Sequence, residues 1–132
     1  MGHNDEVRLA VPAQPEFLRL ARVTAAGLAS RLGFSYDEVE DLRLAIDELC
    51  FGLTGSHGRD GTVAVHYLLD GDRLVIEGYG QFVTPQRSVQ LSELSEVILH
   101  ALVDEHTLED TEDGPRFRLV KRRQDVIASG GA

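Results

Sequence analysis

The chain has a single thiol and no long apolar run. With only Cys50, an internal disulfide framework and any Cys-rich zinc module are excluded, which suits a reducing cytoplasm. No stretch approaches the ~20 apolar residues that a membrane span needs. The longest candidates, such as 97–103, are broken by His100 and end at Asp104 and Glu105. Residues 1–6 have neither the basic start nor the apolar stretch of a secretory signal, and Glu6 stands where a myristoylation motif needs Ser or Thr. Lysine is almost absent, and the 13 basic residues are outweighed by 22 acidic ones, for a formal charge of −9. A duplex-binding surface works by neutralising phosphates with Lys and Arg, so this balance argues against a direct role on DNA. There is no internal repeat, no low-complexity linker, and no Walker-type or Rossmann-type glycine loop.

What is present is the mixture of a globular domain. At 132 residues with 42% hydrophobic content, the chain can bury one core and is too short for two. We therefore expect a single domain over 1–132, with disordered tails at 1–5 and 125–132.

Val7, Leu9 and Val11 alternate with Arg8 and Ala10, the period of a half-buried strand, and Pro12 and Pro15 close it. From Glu16 the spacing becomes helical: Phe17, Leu20, Ala21, Thr24, Ala25, Leu28 and Leu32 form one face that ends at Gly33. Ser35 followed by Asp37 and Glu38 predicts an N-cap with acids in the first turn. The helix it opens carries Val39, Leu42, Ile46, Leu49, Cys50 and Leu53 inward and fades at Gly52 and Gly55. Alternation over 62–69, a turn at Asp70-Gly71-Asp72 and a return over 73–78 predict a hairpin. A loop over 81–90 precedes a third helix near 92–104 with Leu94, Val97, Ile98, Ala101 and Leu102 on one side, then short strands near 107–110 and 116–121. The order β-α-α-β-β-α-β-β predicts a two-layer α/β (α+β) sandwich, a mixed and mostly antiparallel sheet covered on one face by three helices.

Charge is unevenly spread. Residues 93–113 hold eight acids and no Lys or Arg, and Arg116, Arg118, Lys121, Arg122 and Arg123 follow closely. This reads as a solvated acidic face beside a basic last strand, the alternative being a surface for a charged partner. The five histidines share no metal-ligand spacing, so no metal site is expected. Cys50 lies on the apolar face of its helix and reads as core filler. Asp47 and Glu48 are more informative, because they interrupt a helix otherwise committed to burial.

The segment 41–50, Asp-Leu-Arg-Leu-Ala-Ile-Asp-Glu-Leu-Cys, resembles the N-box helix of RsbW-type anti-sigma factors, regulators related to serine kinases on the histidine-kinase (GHKL) ATPase fold. The resemblance, closest to actinobacterial stress and sporulation regulators, also takes in Leu20 to Thr24, the central hairpin, the segment 99–105 and the closing strand 114–123. In that family the N-box reads E-x-x-x-N, with the Glu orienting or activating a nucleophile and the Asn holding the nucleotide's magnesium. Here Glu48 matches the Glu, but Gly52 stands at the Asn position and has no oxygen to offer a metal. The D-x-G motif whose Asp accepts the adenine amino group corresponds to Gly78-Tyr79-Gly80, which keeps the second glycine and lacks the Asp. The phosphate-loop glycines correspond to Glu93 and Ser95, where Glu93 and Glu96 add negative charge.

Three nucleotide contacts are thus missing at once. At about 1.5–3 kcal/mol for each charge-assisted bond, their loss is enough to carry a micromolar ligand beyond millimolar. The expectation is a degenerate ATP site without an ATP or magnesium cofactor, Glu48 being a vestigial catalytic residue or a merely solvated carboxylate.

Arg22 matches the first-helix Arg that in relatives contacts an acidic residue of the sigma factor, a role suited to a planar guanidinium; otherwise it is a solvated helix Arg. The resemblance implies a cytoplasmic homodimeric anti-sigma factor, with a sigma factor and a STAS-domain anti-anti-sigma factor as partners and no contact with DNA or membrane. Two other readings stay open: an active serine-protein kinase acting on its antagonist, and a regulatory module of the same fold bound to another protein.

Overall fold

A computed structural model describes residues 5–84 and 89–124. In chain order the elements are β1 (Asp5–Pro12), α1 (Pro15–Arg31), α2 (Tyr36–Thr54), β2 (Gly61–Asp70), β3 (Arg73–Phe82), α3 (Glu93–Leu102), β4 (Glu105–Thr111) and β5 (Gly114–Arg122). The strands form one sheet in the order β1-β2-β3-β5-β4. All four pairings are antiparallel, so the expected sandwich forms with no parallel pair in its sheet. The tails expected to be disordered lie outside the described residues apart from Asp5, which opens β1 opposite Leu69. Residues 85–88 of the expected 81–90 loop also lie outside them.

Alternation sets the inner face of the sheet. Val63, Val65, Tyr67 and Leu69 of β2 point into the core with Leu74 and Ile76 of β3 and Phe117 and Leu119 of β5. Asp70 pairs with Arg73, leaving a two-residue turn whose first position, Gly71, has φ 63°, a conformation that costs glycine little. The return strand runs four residues past the expected Gly78, so Gly78-Tyr79-Gly80 lies inside β3 and is paired along its length.

Serine caps open α2 and α3, whereas Gln14 before α1 makes no side-chain cap bond, and two of the helices bury a different face from the one expected. Ser35 and Glu38 close a capping box at the start of α2, and α2 continues through Gly52 to Thr54. In α1 the buried positions are Leu18, Ala21, Ala25 and Ala29, with Phe17 and Leu20 left 41% and 46% exposed. Small residues let α1 sit close to the sheet, with Leu18 the one large side chain among its buried positions. In α3 only Leu99 is buried, and Leu94 and Val97 face outward.

The end of β5 is fastened to the helices. Lys121 Nζ donates to the carbonyl of Leu102 at the end of α3 (2.6 Å) and lies 3.6 Å from Asp41 of α2. This puts a cation where a helix C-terminus favours one. Beyond it, Arg123 donates to the carbonyl of Leu32 and the Gln124 amide to Glu38.

Candidate functional site

The N-box-like residues meet at the seam between α2 and α3. Glu48 accepts a 2.7 Å hydrogen bond from Ser95 Oγ, in the first turn of α3. The same turn is capped by Ser92, whose hydroxyl accepts from the Ser95 amide at 3.0 Å. A carboxylate at this place is favoured by the positive end of the α3 dipole. The seam thus brings Glu48 and Ser95 together, and Ser95 as the partner of Glu48 was not foreseen from sequence.

One turn further along α2, Gly52 is closed in. A Cβ there would lie 2.9 Å from Leu108 Cδ2 of β4 and 3.2 Å from Leu91 Cδ2. On the floor of the same layer, a Cβ at Gly78 would fall within the ring of Phe117, and one at Gly80 would stand 2.6 Å from the ring of Phe82. Both glycines of the D-x-G-like segment are therefore places where an aromatic ring lies directly on the backbone. The alternation of β4 and β5 puts Leu108 and Phe117 on the inner face, the one signal by which sequence could have found them; their cross-strand pairing fixes the contact.

A larger cleft lies away from this seam. About 720 Å³ in volume, it runs between Gly80–Thr84 and the turn from Asp110 to Pro115, and neither Glu48, Gly52 nor Ser95 lines it. Its wall carries Asp110, Glu112 and Asp113. Arg59 stands beside it, its guanidinium 4.5 Å over the Phe82 ring and donating to the Thr84 carbonyl at 2.9 Å.

Arg22 is held in place from two sides. The buried Tyr67 hydroxyl donates to the carbonyl of Ala21 (2.9 Å), tying α1 to the sheet next to Arg22. Arg22 Nη1 in turn donates to Asp47 Oδ2 of α2 at 2.9 Å, while its Nε is buried without a partner. The guanidinium is thus part-satisfied and 29% exposed. Cys50 below it is fully enclosed; burial, with a smaller contribution from Asp47, pushes its thiol up to about 12. A protonated, buried thiol is inert, in keeping with the core-filler reading.

The acidic and basic stretches meet in part, through Glu105 and Glu109. Arg118 lies 3.6 Å from Glu77 and 3.3 Å from Glu105, and Arg116 reaches Glu77 and Glu109 more loosely, all on the outer face of the sheet. Glu96 contacts His106 at 2.7 Å. Among the described residues no group of three or more His, Cys, Asp or Glu is arranged to hold a metal ion. No described helix is long and apolar enough to cross a membrane.

Three helices over one face of a five-stranded antiparallel sheet, with a retained glutamate on α2, make a two-layer α+β protein compatible with the GHKL-type ATPase fold. No protein-family model matches the chain. Among curated proteins it is 34% identical over 123 residues to the serine-protein kinase RsbW of Bacillus pumilus, a match covering 76% of each chain. RsbW of Bacillus subtilis is 37% identical over 75 residues (54% of this chain, 47% of the relative), and RsbW of Listeria monocytogenes 39% over 79 residues (55% and 48%). The chain belongs to the RsbW family.

Proposed function

We propose that this protein is an anti-sigma factor that holds an alternative sigma factor away from core RNA polymerase and is released by a STAS-domain antagonist, in both steps without ATP. Family membership supports the regulatory role, and the absence of a side-chain oxygen at Gly52 carries the nucleotide-independent part of it. In the N-box pattern the magnesium ligand stands four residues after Glu48, where Gly52 has no side-chain oxygen to offer, and a side chain there would have to displace the ends of Leu108 and Leu91. Phe117 lies over Gly78 on the adenine side of the same layer, so the residues present do not fit a magnesium-bound nucleotide. Glu48 bonds to Ser95 instead.

Arg22 is the proposed contact for an acidic residue of the sigma factor. Its pairing with Asp47 is part-exposed and so worth at most about 1 kcal/mol, which a partner carboxylate can replace. Homodimer formation is supported by the flank of α1, where Phe17 and Leu20 stand exposed beside the unpaired edge of β1.

The test is binding of the sigma factor with and without nucleotide. Equal affinity in both conditions, no calorimetric signal with ATP and magnesium, and a weakened complex for Arg22→Glu are expected. Tight binding that appears only with ATP and magnesium overturns the reading, and an unchanged complex for Arg22→Glu removes that residue from the interface. The relatives' name, serine-protein kinase, favours a second reading, an active kinase with Glu48 as base. ATP-dependent phosphorylation of the antagonist, abolished by Glu48→Ala, would establish it.

A further inference from the structure

A groove follows the contact between α1 and α2. The two helices run antiparallel, since Pro15 meets Thr54 at one end of it and Ser30 meets Tyr36 at the other. Two depressions lie along the groove. The first, about 150 Å³, has Leu18 and Cys50 as its buried floor, with Arg19 and the 57% exposed Phe51 at its rim. The second, about 610 Å³, is floored by Phe34 and Val39 and edged by Val23 and Tyr36, 59% and 77% exposed. Gly27 also lines it, and a Cβ there would meet nothing within 4 Å. The Arg22–Asp47 ion pair crosses from α1 to α2 between the depressions, Arg22 following Arg19 and preceding Val23 on α1, and Asp47 lying between Arg43 and Cys50 on α2.

The two depressions are spaced for a helix. Their linings are centred eleven residues apart along α2 and about nine along α1, roughly 14–17 Å at a rise of about 1.5 Å per residue. On a helix laid in a groove, residues eleven apart are three turns or about 16.5 Å apart and point the same way. The first depression is smaller than the ~300 Å³ at which small-molecule pockets begin, and it suits a single bulky side chain. The charge wanted between the anchors follows from what the groove leaves unused. Asp47 is committed to Arg22, and Glu40 to Arg43. Arg19 is in no ion pair among the described residues, and Arg22 Nε is buried without a partner. Glu16, in the first turn of α1, lines neither depression.

We infer that the α1–α2 groove docks an amphipathic helix of a partner protein, with two bulky apolar side chains eleven residues apart in the two depressions and a carboxylate between them that meets Arg19 and Arg22. A guanidinium pair one turn apart on α1 is complementary to such an acid, and the buried anchors supply the affinity that one exposed ion pair does not. A second copy of this chain does not offer the helix: α3 has ten residues, too few to place anchors eleven apart, and α1 and α2 form the groove itself. The inference rests on the proposed function for the class of its partner and deepens the role given there to Arg22, adding two apolar anchors to it.

The experiment measures fluorescence anisotropy of a synthetic helical peptide about five turns long, with leucines at i and i+11 and glutamates at i+4 and i+7, a pattern that reads the same from either end. It is expected to bind the full chain, more weakly as salt rises, and about tenfold or more tighter than either of two controls. One control has Lys for both glutamates; the other has the second leucine moved to i+9, on the opposite face. Phe51→Lys in the first depression and Gly27→Trp in the second are each expected to cost about tenfold, with folding checked by circular dichroism. The paired reversal Glu112→Lys with Asp113→Lys, on a remote turn, is expected to change affinity less than about twofold. Absence of binding, equal binding of either control, or an equal loss from the remote reversal overturns the inference. A change in sedimentation of the chain caused by Phe51→Lys or Gly27→Trp also overturns it, since a second copy would then be the occupant. The sigma-factor complex separates the two readings. A complex weakened by Arg22→Glu but untouched by Phe51→Lys and Gly27→Trp overturns the inference and leaves the proposed function standing, whereas binding of the peptide by a chain that binds no sigma factor overturns the proposed function and leaves the groove.

Discussion

The core side and the solvent side of the helices are built from similar residues to opposite ends. Inside, the Phe117 ring leaves no room for a side chain at Gly78, and Leu91 and Leu108 would have to shift to admit one at Gly52. Outside, Leu44, Phe51, Leu94 and Val97 stand in solvent with more than half of their surface exposed. Apolar surface left in water costs about 25 cal/mol per Å², so an uncovered stripe serves stability only when something binds it, whereas a filled layer serves the fold directly. The contrast sets a packed inner layer that serves the fold against an exposed apolar surface that the fold does not use.

The strongest way to break that comparison is to enlarge the inner glycines. Gly78→Ala puts a methyl group into the Phe117 ring and is expected to destabilise the fold by about 3 kcal/mol in urea unfolding. Gly52→Asn is expected to cost about 2 kcal/mol and to be partly rescued by Leu108→Ala, which opens the space beside it. Neutral behaviour of both variants would mean that the inner layer has room.

A smaller effect is expected at the junction of α2 and β5. Glu38 is 6% exposed. Burial pushes its carboxyl upward, but hydrogen bonds from the Ser35 and Gln124 amides and the Ser35 hydroxyl, with the charge of Lys121, outweigh this and hold it below the ordinary glutamate value. A depressed folded value means that Glu38 contributes stability above the unfolded value of about 4.3, lost as pH falls through the folded one. Glu38→Gln is expected to cost about 1 kcal/mol at pH 7, with the gap to the parent closing in acid. A gap that is constant with pH would show that the charge plays no part.

The smallest effect is expected outside. Leu44→Ser and Leu94→Ser are each expected to change stability by no more than about 0.5 kcal/mol, because little apolar area there is buried. A loss of about 2 kcal/mol for either would erase the distinction between the two sides.

How much of this was legible in the chain depended on the range of the interaction. The capping box at Ser35 and Glu38 and the turn at Gly71 are local, set by residues within three or four positions, and they appear where the pattern puts them. The inward set of β2 follows from strict alternation. The faces of α1 and α3 were less legible. A period of 3.6 defines a stripe, but Phe17 and Leu20 lie on a part of it that is left 41% and 46% exposed, and α3 fully buries Leu99 alone, with Leu102 partly packed on the core. In the candidate site, Glu48 and Gly52 could be singled out through the resemblance to the N-box, whereas their partners Ser95, Leu91 and Leu108 lie 39 or more residues away along the chain.

The sequence by itself determined the order of elements, the excess of acid, and the absence of a side-chain oxygen at Gly52 and Gly78, because these depend only on residue type and local spacing. Tertiary structure alone decided that Leu108 and Phe117 occupy the space beside those glycines, that Arg22 pairs with Asp47, and which apolar side chains of α1 and α3 stay in water. A side chain's type fixes what it can bond to or bury, but its neighbours are set by strand pairing and helix packing, which close loops of tens of residues and cannot be read from any short window.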